Sequence, residues 1–156
     1  MEVEWLILAD SAEVVGNKLY LLGGGWDRLT VNTDLPLDQR CAVAMSIRVP
    51  WNETNQKHAF QIEVASEHPT SEAPESLAKV EGQFEVGRPP GIPPGQDQRL
   101  QLAINFNNLR IKTAGTKVIT ARIDGQEGQR THFNVVRGPM LSMRAPKQGD
   151  APAPGA

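Results

Sequence analysis

Acidic side chains gather in the N-terminal third of this 156-residue sequence, on both sides of a glycine run. Asp10 and Glu13 lie in the first connection, and Asp27 and Arg28 follow Gly23–Gly25. Carboxylates that converge supply the oxygen ligands that Ca²⁺ and Mg²⁺ prefer, so an enzyme built around these four residues is one hypothesis. Their spacing matches no cation loop, and acids beside turns more often cap those turns. We therefore predict a structural role for them and no metal site.

The glycine run suggests a second kind of chemistry, because backbone N–H groups without neighbouring Cβ atoms can surround a phosphate. A phosphate loop of that kind continues into Gly-Lys-Ser/Thr and a helix, whereas Trp26-Asp27-Arg28 opens a strand-like segment here. The favoured interpretation is a strand-to-strand turn in which at least one glycine needs a positive φ.

Nucleophilic and zinc chemistry both lack a pattern in this sequence. Cys41 is the single cysteine, and it begins a strand whose neighbours look like core. The histidines, His58, His68 and His132, share no paired ligand spacing and no signature with a nucleophile. We predict no catalytic residue and no cofactor.

Tryptophan offers a binding surface instead of a reaction. Trp51 follows Pro50 in a polar loop, where an exposed ring could stack on a sugar or anchor a protein partner. Trp5 and Trp26 belong to apolar strand patterns and are expected in the core. The candidate binding residues are therefore Trp51, Asp10, Asp27 and Arg28.

Strand-period alternation dominates from residue 42 onward and places large apolar side chains on one face. It predicts strands at 42–49, 59–65, 80–86 and 100–107, with a hairpin-type loop at 50–57. A final hairpin turns at Asp124-Gly125, a pair suited to positive φ. Residues 115–136 also resemble the closing hairpin of bacterial immunoglobulin-like modules.

The N-terminal strands have a different pattern. Residues 5–9 and 19–22 are apolar at consecutive positions, which is typical of strands that are covered on both faces. Gly16-Asn17 marks the turn between them, and residues 26–31 form a further strand. Residues 72–79 are the only helical candidate, of at most one turn.

These elements predict an all-β protein: an antiparallel β-sandwich of about nine strands, immunoglobulin-like or Greek-key, with a closed barrel as the alternative. The Pro/Gly-rich stretch at 87–95 is a loop, because prolines leave few ladder donors. We expect the sandwich to occupy 1–144 and the Pro/Ala/Gly-rich residues 145–156 to form a disordered tail.

Composition argues against several partners. Sixteen basic residues face 18 acidic ones, so the chain has no excess charge for nucleic acid. No apolar run approaches the length of a membrane span, and the N-terminus lacks the features of a secretion signal. With a lone cysteine, these features predict a cytoplasmic protein.

The segment Leu8-Ala9-Asp10 through Tyr20, followed by Gly23-Gly24-Gly25-Trp26-Asp27, resembles a family of short uncharacterised bacterial proteins that is common in actinobacteria. The likeness is specific over about 30 residues and softer to Val136, and it implies no activity. The leading functional hypothesis is consequently a non-catalytic domain that binds a protein partner or itself through sheet edges and end loops. A small-molecule or carbohydrate-binding module using Trp51 is the first alternative, and the enzyme at Asp10, Glu13, Asp27 and Arg28 is the second.

Overall fold

A computed structural model describes residues 1–67 and 75–139, and these contain nine strands. One 3₁₀ turn lies at Trp51–Glu53. The strands are β1 Glu2–Val15, β2 Lys18–Gly24, β3 Arg28–Val31, β4 Leu37–Val49, β5 Lys57–Ser66, β6 Glu75–Glu85, β7 Gln98–Ile111, β8 Gly115–Ile123 and β9 Gln126–Arg137.

The strands form two sheets that confirm the predicted β-sandwich. Sheet A has the order β2-β1-β4-β7, and sheet B has the order β3-β9-β8-β5-β6. Connections cross between the sheets after β2, β3, β4, β6 and β7. All pairs are antiparallel except β3 with β9, which run parallel at the edge of sheet B.

The core lies between the sheets and follows the predicted alternation. The face expected from residues 43, 45, 47 and 49 is buried, with Val43, Met45, Ile47 and Val49 at most 1% exposed. Ile62 and Val64 on β5 and Ile119 and Ala121 on β8 face them and are fully buried. Strands β4, β5 and β8 therefore each direct alternate side chains into the core between the sheets.

Three local predictions are wrong or fall outside the described residues. Residues 75–79, the described part of the helical candidate, belong to strand β6, where Lys79 pairs with Glu63 of β5. The 50–57 segment is no hairpin loop, because it carries the chain from β4 in sheet A to β5 in sheet B. The expected tail at 145–156 lies outside the described residues.

The burial predicted for residues 19–22 is also wrong. In the described part of the chain, β2 is an edge strand that pairs only with β1, and its Tyr20 and Leu22 side chains are 56% and 71% exposed. An uninterrupted apolar run predicts a strand that is covered on both faces, but this run lies on the outer strand of an edge hairpin. Within β1, the residues from Glu2 to Ala9 pair with β4.

The far half of the β1–β2 hairpin lies against the outer face of sheet A. Ala12 and Leu19 pack on Ala42 and Ala44, whose small side chains let the hairpin approach closely. Asn105 of β7 accepts from the Ala12 N–H at 3.2 Å and donates to the Ala12 carbonyl at 2.8 Å. The hairpin is therefore held in place as part of the fold.

Candidate functional site

The four residues of the enzyme hypothesis lie on different elements. Asp10 lies on β1 beside Gly23, and Glu13 lies on the same strand opposite Tyr20. Asp27 follows β2, and Arg28 begins β3 in sheet B, opposite Asn134. Asp27 makes a backbone hydrogen bond, in which its carbonyl accepts from the Asn134 N–H at 2.8 Å. Within residues 1–67 and 75–139, no group of three or more His, Cys, Asp or Glu side chains could hold a metal.

The glycine run is a structural turn, as the sequence predicted. Gly23 and Gly25 have φ values of +61° and +82°, and the Gly25 N–H donates to the Leu8 carbonyl at 2.7 Å. Asp10 occupies the space beside Gly23, because a Cβ at that glycine would collide with the Asp10 carboxylate. Asp10 and Gly23 therefore form one packed contact between neighbouring strands.

This contact gives a stability prediction. Gly23→Ala should lower the free energy of unfolding by about 1–3 kcal/mol, since it combines left-handed strain with a collision. Gly25→Ala is the matched control, because its φ is also positive but no atom lies within 4 Å of its Cβ position. Urea unfolding of both variants should show the larger loss at Gly23; an equal loss would mean that Asp10 moves aside without cost.

Trp51 lies in the β4–β5 connection and is in contact with Arg88, which follows β6. The Arg88 guanidinium lies 4.1 Å from the ring centroid, and its Nη2 donates to the Trp51 carbonyl at 2.8 Å. The same guanidinium donates from Nε to Thr54 Oγ1 at 2.5 Å. One face of the indole is therefore covered from within the chain. Trp51 lies beyond the Val49 end of β4. Gly24 pairs with Ala9, which pairs with Ala42 in the middle of β4, so Trp51 and the glycine turn are separated along the sheet.

The sequence did not predict a contact between His58 and Asp124, which are 66 positions apart. His58 Nδ1 lies 2.8 Å from Asp124 Oδ2, and Nε2 lies 2.9 Å from the Glu53 carbonyl oxygen. Both neighbours are acceptors, so these contacts favour the protonated imidazolium, which donates from both ring nitrogens. Burial opposes this charge, but the bonds to Glu53 and Asp124 outweigh it and raise the His58 pKa above 6.5. A ring with both nitrogens engaged is a poor general base.

Lys117 and Cys41 carry side chains that can act as nucleophiles, but both are buried. Lys117 is fully buried, and its Nζ donates to Ser66 Oγ at 2.9 Å; burial lowers the Lys117 pKa. Cys41 is 1% exposed, and burial, with a smaller contribution from the Asp10 charge, raises the pKa of its thiol to about 11. Neither group reaches solvent, so neither offers a nucleophile to a substrate.

The surface feature that sets this domain apart is apolar. Among the described residues, the exposed large hydrophobic side chains are Val15, Tyr20, Leu21 and Leu22, all on the β1–β2 hairpin. Exposed apolar groups that cluster on one element mark interaction sites more often than scattered ones do. We take this hairpin surface, defined by those four residues, as the candidate functional site. Sequence reasoning missed it because the same leucines were assigned to the core.

The fold and this surface define an all-β domain with an apolar edge hairpin. The chain belongs to a family of unknown function, DUF6941, whose model matches residues 4–136. Membership in that family agrees with the expected relationship to uncharacterised proteins. No curated protein matches the chain.

Solved structures show only low similarity. A β-glucosidase from Listeria innocua in complex with gluconolactone aligns with 84% of this chain and 16% of its own, at 10% identity and a TM-score of 0.40. The alkylpurine DNA glycosylase AlkC of Pseudomonas fluorescens aligns with 83% of this chain and 30% of its own, also at 10% identity and 0.40. The chain thus spans less than a third of either protein, and at these scores neither likeness carries an argument about function.

The described residues include no helix with the length and apolar character needed to cross a membrane.

Proposed function

We propose that this protein acts by binding another polypeptide through the hairpin surface, without catalysis. The observation that carries the proposal concerns the described residues: their exposed large hydrophobic side chains are confined to one edge hairpin and include Tyr20 and Leu22, at 56% and 71% exposure. Leaving these side chains in water costs free energy that a partner would recover on binding. Tyrosine also supplies a large, stiff contact of the kind that is enriched at interfaces.

The two alternatives have less support. A sugar-binding role for Trp51 requires an open aromatic face, and Arg88 covers one face of that ring. An enzyme at Asp10, Glu13, Asp27 and Arg28 requires these groups to converge, whereas Asp10 packs beside Gly23 and Arg28 lies in the other sheet. The binding proposal therefore stands first, with neither metal nor cofactor.

The proposal includes an immunoglobulin-like topology. The order β9-β8-β5-β6 corresponds to strands G, F, C and C′ of such a domain, and β1-β4-β7 corresponds to A, B and E. It also includes a reducing, cytoplasmic setting, which suits a chain whose single cysteine is buried. Nucleic acid and membranes are not among the proposed partners, since the net charge is −2.

Photocrosslinking tests the proposal in the cells that make the protein. A benzophenone amino acid in place of Leu22 should yield a covalent adduct with a polypeptide, because that side chain would be buried by the partner. The control places the same group at Gln83, an exposed position on β6 in the other sheet. Adducts of equal yield from both positions, or none from Leu22, would remove the hairpin as the binding surface.

A further inference from the structure

We infer that the polypeptide bound by the hairpin is a second copy of this chain, with two β2 strands paired antiparallel across a twofold axis at Leu21. This inference rests on the proposed function and names its partner. It follows from which sheet edges are open, from the direction of the β2 backbone groups and from the order of side chains along the strand.

Among the four sheet edges formed by residues 1–67 and 75–139, β2 has the least protection against pairing. β3 is only four residues long, and β6 carries Lys79 and Glu81, which form a 2.7 Å ion pair. At the β7 edge, the Asn17 side chain donates to the Arg99 carbonyl at 3.2 Å and accepts from the Gln101 N–H at 3.4 Å. Short strands, charges and capped backbone groups all discourage edge pairing, and β2 has one charge, at Lys18.

The turn of the hairpin fixes which β2 groups face outward. Gly16 and Asn17 have φ values of +57° and +56° between the paired residues Val15 and Lys18, which defines a two-residue type I′ turn. In such a hairpin the residues that flank the turn form a hydrogen-bonded pair, and the pattern then alternates. Leu19 and Leu21 consequently direct their N–H and C=O groups toward the open side of β2.

A twofold axis at Leu21 brings the outward-facing N–H and C=O groups of the two copies together. Leu21 of each copy then exchanges two hydrogen bonds with Leu21 of the other, as a hydrogen-bonded antiparallel pair requires. The flanking positions become non-hydrogen-bonded pairs, in which side chains approach more closely. Each of these two pairs consists of Tyr20 and Leu22, the most exposed side chains of the surface. Aromatic and aliphatic partners are favourable in that position.

The rest of the strand is complementary to itself in size and charge. Leu19 of one copy falls opposite Gly23 of the other, so the larger side chain meets a residue that has none. The regular register ends there, because Gly23 has a φ of +61°. The two Lys18 residues lie at opposite ends of the paired strands, about 20 Å apart at 3.4 Å per residue, which is beyond the range of strong repulsion in physiological salt. No like charges face each other along β2.

The test is the mass of the full chain in solution, measured by sedimentation velocity over a range of concentrations. The unmodified chain should form a dimer that dissociates on dilution. Tyr20→Lys and Leu22→Glu should each weaken self-association by at least about tenfold, because each places a charge against an apolar side chain. Gln83→Glu is the control, since Gln83 is exposed on β6 in the other sheet and lies outside the hairpin surface.

Mixing the two weakened variants tests the register itself. In a mixed pair, the lysine that replaces Tyr20 faces the glutamate that replaces Leu22, and the second position keeps its natural Tyr20–Leu22 contact. Equimolar Tyr20→Lys and Leu22→Glu chains should therefore form a heterodimer about as stable as the unmodified dimer. A mixture that stays monomeric, or a dimer that neither substitution weakens, would overturn the inference.

The outcomes also separate this inference from the proposed function. If the chain is monomeric at every concentration while crosslinks from Leu22 reach a different polypeptide, the second copy is wrong and the binding surface stands. If Leu22 crosslinks to nothing, both are wrong.

Discussion

Replacing Phe133 with alanine should lower the free energy of unfolding by about 3–5 kcal/mol, the usual cost of deleting a buried aromatic ring. Phe133 is fully buried on β9, opposite Lys117 of β8. Its ring meets Trp26 edge to face, with centroids 5.5 Å apart and planes inclined at 73°. The ring thus fills the core and also anchors the Gly-Gly-Gly-Trp-Asp segment, so its loss removes both contacts at once.

Urea unfolding of Phe133→Ala and Trp51→Ala compares an aromatic ring in the core with one that contacts Arg88 outside the core. Trp51 is stacked on Arg88 outside the core, and its removal should cost only about 1 kcal/mol. Phe133→Leu, which keeps most of the volume, should cost less than about 1.5 kcal/mol. A loss at Phe133→Ala no larger than that at Trp51→Ala would show that the core collapses around the cavity.

The strands after residue 42 could be predicted because one face of each is buried. Alternation at Val43, Met45 and Ile47 reports directly which side chains meet the core. Periodicity says nothing about which sheet a strand joins, so the 50–57 connection could be mistaken for a hairpin when it crosses between sheets. Sheet choice depends on packing between residues that are distant in sequence.

The candidate surface could not be predicted, because an apolar run has the same sequence signature in the core and at an interface. Leu21 and Leu22 are as apolar as any core strand, and only the fold shows that β2 has no neighbour beyond β1 in the described part of the chain. The Gly16-Asn17 turn was visible in the sequence and did predict the hairpin. The hairpin lies over Ala42 and Ala44 because their side chains are small. The sequence pattern alone does not show that these two alanines form a surface for the hairpin.

The other large effect concerns the contact between His58 and Asp124. The Ala59 N–H donates to Asp124 Oδ1 at 2.8 Å, and this bond, with that from His58, lowers the Asp124 pKa below 3.8. His58 is 7% exposed, whereas the Asp124 side chain is 49% exposed, so solvent screens part of the interaction. We expect Asp124→Asn to lower the free energy of unfolding by about 1–2 kcal/mol at pH 6, below the full value of a buried charged hydrogen bond.

The sign of the pH dependence follows from the two pKa shifts. His58 has a raised pKa, so its contribution is fully present below 6.5 and is lost as the pH rises through the folded value. Asp124 has a lowered pKa, so its contribution is present above 3.8 and is lost as the pH falls through the folded value. The pair therefore stabilises the fold most between about pH 4 and pH 6.5, and less in alkaline solution.

Asp124→Asn should reverse the protonation of His58 while keeping the shape of the turn. The asparagine oxygen can still accept from Ala59, but its NH₂ group now faces Nδ1, which must become an acceptor on a neutral ring. NMR titration of the ring should give a His58 pKa above 6.5 in the parent and a lower one in Asp124→Asn. The stability difference should shrink as the pH rises through the folded pKa of His58, because the parent ring then loses its second proton as well. Asp38→Asn is the control, since that carboxylate is also 49% exposed and pairs with Arg110 on the surface. An unchanged His58 pKa in Asp124→Asn would show that the Glu53 carbonyl alone holds the ring charged.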